Sequence, residues 1–179
     1  MKKVPALLII IFILLNGCTK GDEPEPQAEG KTLVLMYHRI TSGEAANLYE
    51  RSVKDFESDL KYIIEKKINV ISFNELEKLV KSGKKPENNS VIITFDDGDS
   101  SWFTLVKPML IKYKMEATFF LWTNMIGRDS FLTWKEVASM SHYYNDNGER
   151  PFVFGSHTFS HVYLYQRKTA FRTNDEYNA

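Results

Sequence analysis

Two histidines near the end of the chain have a spacing that suits metal binding. His157 and His161 are four residues apart, so on one helical turn their rings would face the same way and could bind one cation. Asp97, from a different part of the chain, can add a carboxylate ligand. Three protein ligands would leave positions open for water and a substrate, as a catalytic metal site requires.

Asp97 belongs to the sequence Asp96-Asp97-Gly98, which follows a run of apolar residues. Asp-Gly by itself is a turn signal. A turn accounts for one aspartate and the glycine, but it gives no reason for two adjacent carboxylates, whose mutual repulsion has to be offset by a cation. We therefore interpret the pair as part of the candidate metal site.

Strand and helix patterns alternate along the chain after its first thirty residues. Apolar runs, helical periodicity and capping residues predict strands at 32–37, 70–73, 90–95, 117–122 and 152–154, and helices at 52–66, 74–83, 101–114 and 133–145. Such alternation is typical of a mainly parallel α/β sheet or barrel, in which chemistry gathers at the carboxyl ends of the strands. His38, the aspartate pair and the two late histidines follow the first, third and last of these strands, so we expect them to lie together.

Capping signals place the helix boundaries. Ser52 and Asn74 are positioned to cap the first two helices, and Thr133 with Glu136 forms a capping box for the last. Pro108 either kinks the third helix or lies in the first turn of a new one. The face that we expect the first helix to bury consists of Phe56, Leu60, Ile63 and Ile64.

Four motifs together resemble one known family. In chain order they are Thr94-Phe-Asp-Asp-Gly98, Ala117-Thr-Phe-Phe120, Leu132-Thr-Trp134 and Gly155-Ser-His-Thr-Phe-Ser-His161. They are similar to motifs of the polysaccharide deacetylase family, also called NodB-homology domains or family-4 carbohydrate esterases. The resemblance implies a distorted (β/α) barrel and a metal-dependent removal of acetyl groups, mostly from N-acetylated sugars.

The resemblance also implies roles for individual residues. Asp96 matches the family's general base, and Asp97, His157 and His161 match its metal ligands, for which we expect a divalent cation, zinc. The stretch Met36-Tyr-His-Arg-Ile40 resembles the opening motif of the subgroup that deacetylates poly-β-1,6-N-acetylglucosamine. In that subgroup an early histidine stands in the position of the general acid, so His38 would take this role. The alternative for His38 is a hydrogen-bonded core histidine at a strand end.

Aromatic side chains could add contacts to a sugar, although in helices and strands they belong more often to the core. Trp102, just after the aspartate pair, is the better candidate for a substrate contact in a cleft. Trp134 follows a helix cap, and we interpret it as a packing residue. His142 lies near a helix end, where we expect it to be exposed and without a role.

The first thirty residues resemble a targeting signal followed by a tether. Residues 1–17 combine two lysines with an apolar run, and the run ends in Leu14-Leu15-Asn16-Gly17-Cys18, which resembles the bacterial lipobox. We predict that Cys18 is lipidated and anchors the chain in the cell envelope, at the outer membrane or cell surface; the alternative is an ordinary cleaved signal. Residues 18–30 are acidic and polar, as in a tether. Residues 31–179 form the deacetylase domain, which we expect to be truncated because the family's later motifs do not follow His161.

Composition excludes several other classes of protein. The 23 lysines and arginines balance 23 aspartates and glutamates, which argues against a nucleic-acid partner, since such proteins need a basic surface. A single cysteine excludes an internal disulfide framework. The partners that the two resemblances imply are an N-acetylated polysaccharide and, through the lipid, a membrane.

Two alternative functions remain open at the level of sequence. One is a non-catalytic surface lipoprotein of the same fold that binds glycans, which the missing later motifs favour and the retained Asp96 opposes. The other is an iron oxygenase with two histidine ligands and one carboxylate ligand, because that ligand set is the same. The second aspartate and the strand–helix alternation oppose the oxygenase.

Overall fold

A parallel β-sheet with helical connections forms the centre of the computed structural model, which describes residues 30–161. In chain order the strands are β1 (Thr32–Tyr37), β2 (Arg39–Thr41), β3 (Glu50–Ser52), β4 (Asn69–Val70), β5 (Ser90–Asp97), β6 (Ala117–Trp122) and β7 (Phe152–Thr158). The helices are α1 (Val53–Glu65), α2 (Phe73–Ser82), α3 (Lys107–Tyr113) and α4 (Trp134–Ser141), and a short π-helix, Trp102–Val106, leads into α3. None of these helices is both long and apolar enough to cross a lipid bilayer.

The main sheet has the strand order β1-β5-β6-β7, and β4 pairs with the first residues of β5. All of its pairings are parallel, as are those of the separate β2–β3 pair. The prediction of a mainly parallel α/β fold is therefore confirmed. Within the described residues the sheet is open, with β1 and β7 at its edges, which is compatible with an incomplete barrel. Because the strands are parallel, their carboxyl ends share one edge of the sheet.

A row of four aromatic rings crosses this sheet. Tyr37, Phe95, Phe119 and Phe154 are register partners on β1, β5, β6 and β7. Neighbouring rings in the row are stacked, with centroid distances of 5.4, 5.1 and 5.2 Å. Cross-strand contacts of this kind stabilise one register over a register shifted by one residue, because such a shift would move each ring to the other face.

Helix α1 packs onto the sheet through the face that its sequence predicts, with one exception. Phe56, Leu60 and Ile63 are buried in the core, whereas Ile64 is 52% exposed. The inclusion of Ile64 in the buried face was therefore wrong. It adjoins Ile63 in sequence, and a step of 100° around the helix turns its side chain away from the sheet.

The capping predictions are confirmed at Ser52 and corrected at Asn74. The hydroxyl of Ser52 accepts a hydrogen bond from the backbone N–H of Asp55 at the start of α1. Helix α2 begins earlier than predicted, because Ser72 and Glu75 form a reciprocal capping box and Asn74 lies inside the helix. A serine two residues upstream can pair with this glutamate, which Asn74 at its position cannot do.

The structure also tests the predictions for the start of α4 and for the position of Pro108. Thr133 and Glu136 form the predicted capping box of α4, although the helix ends at Ser141 rather than near residue 145. Pro108 lies in the first turn of α3, just after the π-helix. The second alternative for Pro108 is therefore the correct one: its missing N–H costs least in a first turn.

A cavity of about 580 Å³ lies near the amino-terminal ends of β6 and β7, and Glu75, Glu116 and Glu149 are among its lining residues. Burial, together with the nearby carboxylates of Glu75 and Glu149, raises the pKa of Glu116 to about 7. Glu116 is therefore the described acidic residue most sensitive to a change from weakly acidic to weakly basic pH.

We predict that Glu116→Gln makes the protein more stable at pH 8 than the wild type and nearly equal at pH 5. A carboxyl whose pKa is raised in the folded state favours folding below its unfolded pKa and loses this contribution as the pH rises to about 7. One pKa unit corresponds to about 1.4 kcal/mol, and partial solvent screening reduces the expected difference to roughly 2 kcal/mol. Urea denaturation of both chains at the two pH values measures it, with Glu44→Gln, at an exposed glutamate away from Glu116, as the control. Parallel pH profiles of the wild type and Glu116→Gln would contradict the assignment.

Candidate active site

The aspartate pair forms the end of β5 rather than a turn after it. Asp96 and Asp97 still pair with Phe120 and Leu121 of β6, which is why the strand is two residues longer than predicted. In a regular strand two adjacent side chains point to opposite faces. Asp97 has a φ of 86°, however, which is uncommon for a residue with a side chain. This turn of the backbone allows both carboxylates to approach the same histidine.

Gly98 makes the close turn after the pair possible. Its φ is 99°, and a Cβ at this position would lie 2.7 Å from Cδ1 of Ile126. Its carbonyl oxygen accepts a hydrogen bond from the N–H of Leu132 at 2.8 Å. The backbone conformation therefore favours glycine, and a Cβ would in addition require the end of the Ile126 side chain to shift.

The two histidines reach the site from β7 and from the loop that follows it. His157 lies within the strand, because β7 continues through Gly155 to Thr158 alongside β6. The hydroxyl of Thr158 accepts a hydrogen bond from the N–H of His161 at 2.9 Å, and His161 has a φ of 49°. The expectation of one helical turn was therefore wrong: a strand end and a tight turn bring the two rings together, with centroids 4.9 Å apart.

Asp97, His157 and His161 form a cluster in which one possible ligand atom from each lies within 4.8 Å of the others. Oδ1 of Asp97 is 3.6 Å from Nε2 of His157 and 3.4 Å from Nε2 of His161. These distances are too long for good hydrogen bonds. They match the separation of roughly 3.3–3.6 Å between two ligands that are each about 2.0–2.2 Å from a tetrahedral ion.

The hydrogen bonding of Asp97 also fits a cation. Its Oδ1 atom is buried and has no hydrogen-bond partner, although a buried carboxylate oxygen without a partner costs free energy. Two imidazoles and one carboxylate are a common ligand set of catalytic zinc sites and leave further positions open. The residues present therefore fit a divalent metal ion.

Asp96 adjoins this cluster without belonging to it. Its Oδ2 atom is 3.9 Å from Nδ1 of His157, on the other side of the ring from Asp97. Burial raises the pKa of Asp96, and this effect is partly opposed by His157, His38 and His161. Two adjacent carboxylates thus have different surroundings, one among the possible ligand atoms and the other beside them.

His38 lies at the same edge of the sheet, directly after β1. It is half-buried, and its ring meets the ring of Tyr49 edge-on, with centroids 5.1 Å apart. It is close enough to lower the pKa of Asp96 electrostatically. The expectation that the ends of the first, third and last strands would lie together is therefore confirmed for the positions of these residues.

The expectations for the tryptophans are corrected. Trp102 is fully buried, so it is not a substrate contact in a cleft. Its ring packs 5.8 Å from Phe95 and 5.2 Å from Phe119, because the π-helix turns it into the core. Trp134 is 56% exposed rather than a packing residue, because it is the first residue of α4 and lies on the solvent side. His142 is exposed, as expected, and its Nδ1 atom lies 2.8 Å from the carbonyl oxygen of Ala138.

Trp122 also lies at the site, although as a tryptophan in a strand it was expected to be a core residue rather than a contact for a sugar. It ends β6, its ring is 4.7 Å from the ring of His161, and its buried Nε1 atom has no hydrogen-bond partner. The signal that could have found it is positional: β6 ends at the same edge of the sheet as β5 and β7. The predicted signal segment, Cys18 and most of the tether lie outside the described residues.

The chain belongs to the polysaccharide deacetylase family, whose model matches residues 83–179, more than half of the sequence. This match agrees with the resemblance of the four motifs. The parallel sheet and the cluster of Asp97, His157 and His161 agree with it as well. The particular relatives support the same assignment.

Two curated relatives illustrate the similarity. The chain is 31% identical over 134 residues to the Bacillus subtilis protein YxkH, whose name carries the same family; the match covers 75% of this chain and 44% of that protein. It is 29% identical over 154 residues to a poly-β-1,6-N-acetyl-D-glucosamine N-deacetylase of Staphylococcus aureus, covering 73% of this chain and 53% of that protein. The chain thus spans about half the length of the curated relatives that it matches.

Solved structures share the fold. A Streptococcus pyogenes deacetylase, PplD, in complex with acetate superposes with a TM-score of 0.65 at 25% identity, covering 79% of this chain and 62% of that one. IcaB from Ammonifex degensii superposes with a TM-score of 0.62 at 28% identity, covering 74% and 55%. The mixed α/β architecture with a parallel sheet is therefore the architecture of this family.

We expect the full chain to bind about one equivalent of a divalent cation, and His157→Ala or His161→Ala to lose most of it. Each change removes one of the three possible ligands, and two remaining ligands hold such an ion weakly. Metal analysis after gel filtration is the measurement. His142→Ala, which changes an exposed histidine away from the cluster, is the matched control. Unaltered metal content in both cluster variants would contradict the site.

Proposed function

We propose that the protein is a metal-dependent hydrolase that removes acetyl groups from an N-acetylglucosamine-type polysaccharide at the cell envelope. The observation that carries the proposal is the cluster of Asp97, His157 and His161, with Asp96 beside it, at the strand ends of a chain of this family. A fold alone does not define a function. The arrangement of these four side chains supports a hydrolytic one.

Asp97, His157 and His161 would hold the cation, and the metal we propose is zinc, because two imidazoles and one carboxylate are a ligand set of catalytic zinc sites. When bound, a divalent ion supplies polarisation of the acetyl carbonyl and makes water more acidic. Asp96, at the edge of the cluster, is placed to accept a proton from the attacking water. Its nearness to His157, at 3.9 Å, keeps the carboxylate next to the reacting atoms without making it a ligand.

The reaction requires an acid as well as a base. As the water oxygen bonds to the acetyl carbon, Asp96 takes one water proton, and a tetrahedral intermediate forms. Cleavage of the C–N bond then releases acetic acid, which loses its remaining proton to solvent and becomes acetate, and protonated His38 donates its proton to the departing nitrogen, which leaves as the amine. The proton on Asp96 passes to solvent and His38 is protonated again, so one water is consumed for each acetate released.

The substrate class rests on the relatives. Poly-β-1,6-N-acetyl-D-glucosamine deacetylation is the activity named for the Staphylococcus aureus relative, and the Met36–Ile40 motif is similar to that of the same subgroup. Within the described residues, the Asp97 and His157 side chains are about a quarter to a third exposed, which leaves them accessible to a sugar.

We predict that Asp96→Asn keeps the bound metal and lowers acetate release from an N-acetylglucosamine oligomer by about 10²–10⁴-fold, which is the usual contribution of a general base. The amide has nearly the same shape as the carboxylate but cannot accept the proton. Acetate release and metal content are measured on the same preparation, with Asp146→Asn, an exposed aspartate, as control. Turnover near that of the wild type would reassign the base. A wild type that binds the oligomer but releases no acetate would instead identify a glycan-binding protein.

We also propose that the chain is anchored to a bacterial membrane through Cys18. The proposal rests on the sequence: the apolar run before Cys18, the chain's single cysteine, and the acidic, polar stretch after it. A lipid on this residue would leave residues 18–30 to tether the catalytic domain near its polymer.

Cys18→Ser is therefore expected to move the protein from the membrane fraction to the soluble fraction, because serine cannot form the thioether to the lipid. Fractionation of cells that express the full chain, followed by immunoblotting, is the measurement. Thr19→Ser, at the neighbouring position, is the control and should stay with the membrane. If the Cys18→Ser protein remains membrane-bound in high salt, the anchor lies elsewhere.

A further inference from the structure

The segment that follows the aspartate pair is tied to the segment that carries His38. Three contacts join residues 99–102 to residues 38–40. They are Trp102 Nε1–H to the carbonyl oxygen of His38 at 2.6 Å, the N–H of Ile40 to Ser101 Oγ at 3.0 Å, and Arg39 Nε to Asp99 Oδ2 at 3.8 Å. Three consecutive residues are thus each held by one residue of the other segment.

These contacts begin where the sheet stops holding the two segments together. The β1–β5 ladder ends with the pair Tyr37 and Phe95, and Asp96 and Asp97 then pair only with β6. Beyond that point no strand pairing fixes His38 relative to Asp96 within the described residues. The contacts between residues 38–40 and residues 99–102 fix the position of His38 instead.

The contact made by Trp102 is the most restrictive of the three. Its side chain is fully buried, and its ring packs against Phe95 and Phe119 of the aromatic row. An indole ring wedged in this way has a fixed N–H direction, and the hydrogen bond of 2.6 Å to His38 is short. The Arg39–Asp99 pair, in contrast, is exposed on the arginine side and holds the segment only weakly.

We propose that Trp102 is a positioning residue that holds the backbone of His38 in place at the site, so that the imidazole can donate a proton to the departing nitrogen. The inference rests on the proposed role of His38 as the general acid. Trp102 does not touch the substrate; it acts through the carbonyl oxygen of His38. Phe95 links the two ends directly, because it packs against Trp102 and immediately precedes Asp96. The buried ring of Phe95 therefore connects the position of the base, Asp96, with that of Trp102, which holds the acid, His38.

The experiment separates positioning of the acid from general stability by using two leaving groups. An amide nitrogen has to be protonated as it leaves, whereas the phenolate of 4-nitrophenyl acetate leaves without a proton. Both reactions use the same base and metal ligands. A defect confined to the acid therefore lowers acetate release from an N-acetylglucosamine oligomer but not hydrolysis of the ester.

For Trp102→Phe in the full chain, we expect kcat on the oligomer to fall at least about 10-fold and kcat on the ester less than about 2-fold, since small misplacements of a catalytic group can cost up to about 10²-fold. KM for the oligomer and the metal content should stay close to those of the wild type. Phenylalanine keeps most of the ring packing and removes the N–H. Phe152→Leu is the matched control: it shortens a buried aromatic residue whose ring packs against Phe119 and Tyr143, so any loss should affect both substrates equally.

His38→Ala provides the reference for a lost acid, and it should show the same selectivity in stronger form. If His38→Ala is selective but Trp102→Phe lowers both reactions together, or neither, the positioning role is wrong while the proposed function stands. If His38→Ala is not selective, His38 is not the acid and the inference is overturned with that assignment. Ser101→Ala, which removes the acceptor of the Ile40 N–H, should give a smaller loss of the same selectivity. If the Trp102→Phe protein does not fold, the Ser101→Ala variant still tests the inference. An equal loss of both reactions in Ser101→Ala would then overturn it.

Discussion

The aromatic row across the sheet is the interaction on which the candidate site depends. Tyr37, Phe95, Phe119 and Phe154 are paired in register and stacked on neighbouring strands. His38 and Asp96 are the next residues after two of these rings, so the row brings both strands to the same level before their polar ends begin. A shift of one residue in either pairing would bury a carboxylate and expose a ring, which is costly in both respects.

Above the row, the chain leaves regular strand geometry in order to bring its polar groups together. Asp97, Gly98 and His161 all have positive φ values. For residues with side chains such a conformation costs of order 1–3 kcal/mol and persists only where the surroundings enforce it. The surroundings here are rigid: Gly98 O accepts from Leu132 N–H, and Thr158 Oγ1 accepts from His161 N–H. The strain is thus located in the residues that form and flank the candidate metal cluster.

Local patterns predicted most of the fold, and the errors have identifiable causes. The bounds of β1 and β6, the cap of α1 and the capping box of α4 follow from short-range signals that the surroundings do not override. Strands β5 and β7 extend further than predicted, because their polar ends remain paired with β6 at Asp96 and Asp97 and at Ser156 and Thr158. The local pattern was also misleading for Trp102. Its position after the aspartates suggested a cleft, whereas the π-helix turns it into the core.

The sequence by itself determined the family, the alternation of strands and helices, and the residue types that gather at the strand ends. Each of these depends on neighbours in the chain or on motif spacing, and a linear pattern carries that information. Only the tertiary structure decided that the carboxylates of Asp96 and Asp97 face one imidazole from two sides, and that the carbonyl of His38 is held by Trp102. These relations join residues about 60 positions apart, and they depend on register, strained backbone angles and ring packing, which no local pattern encodes.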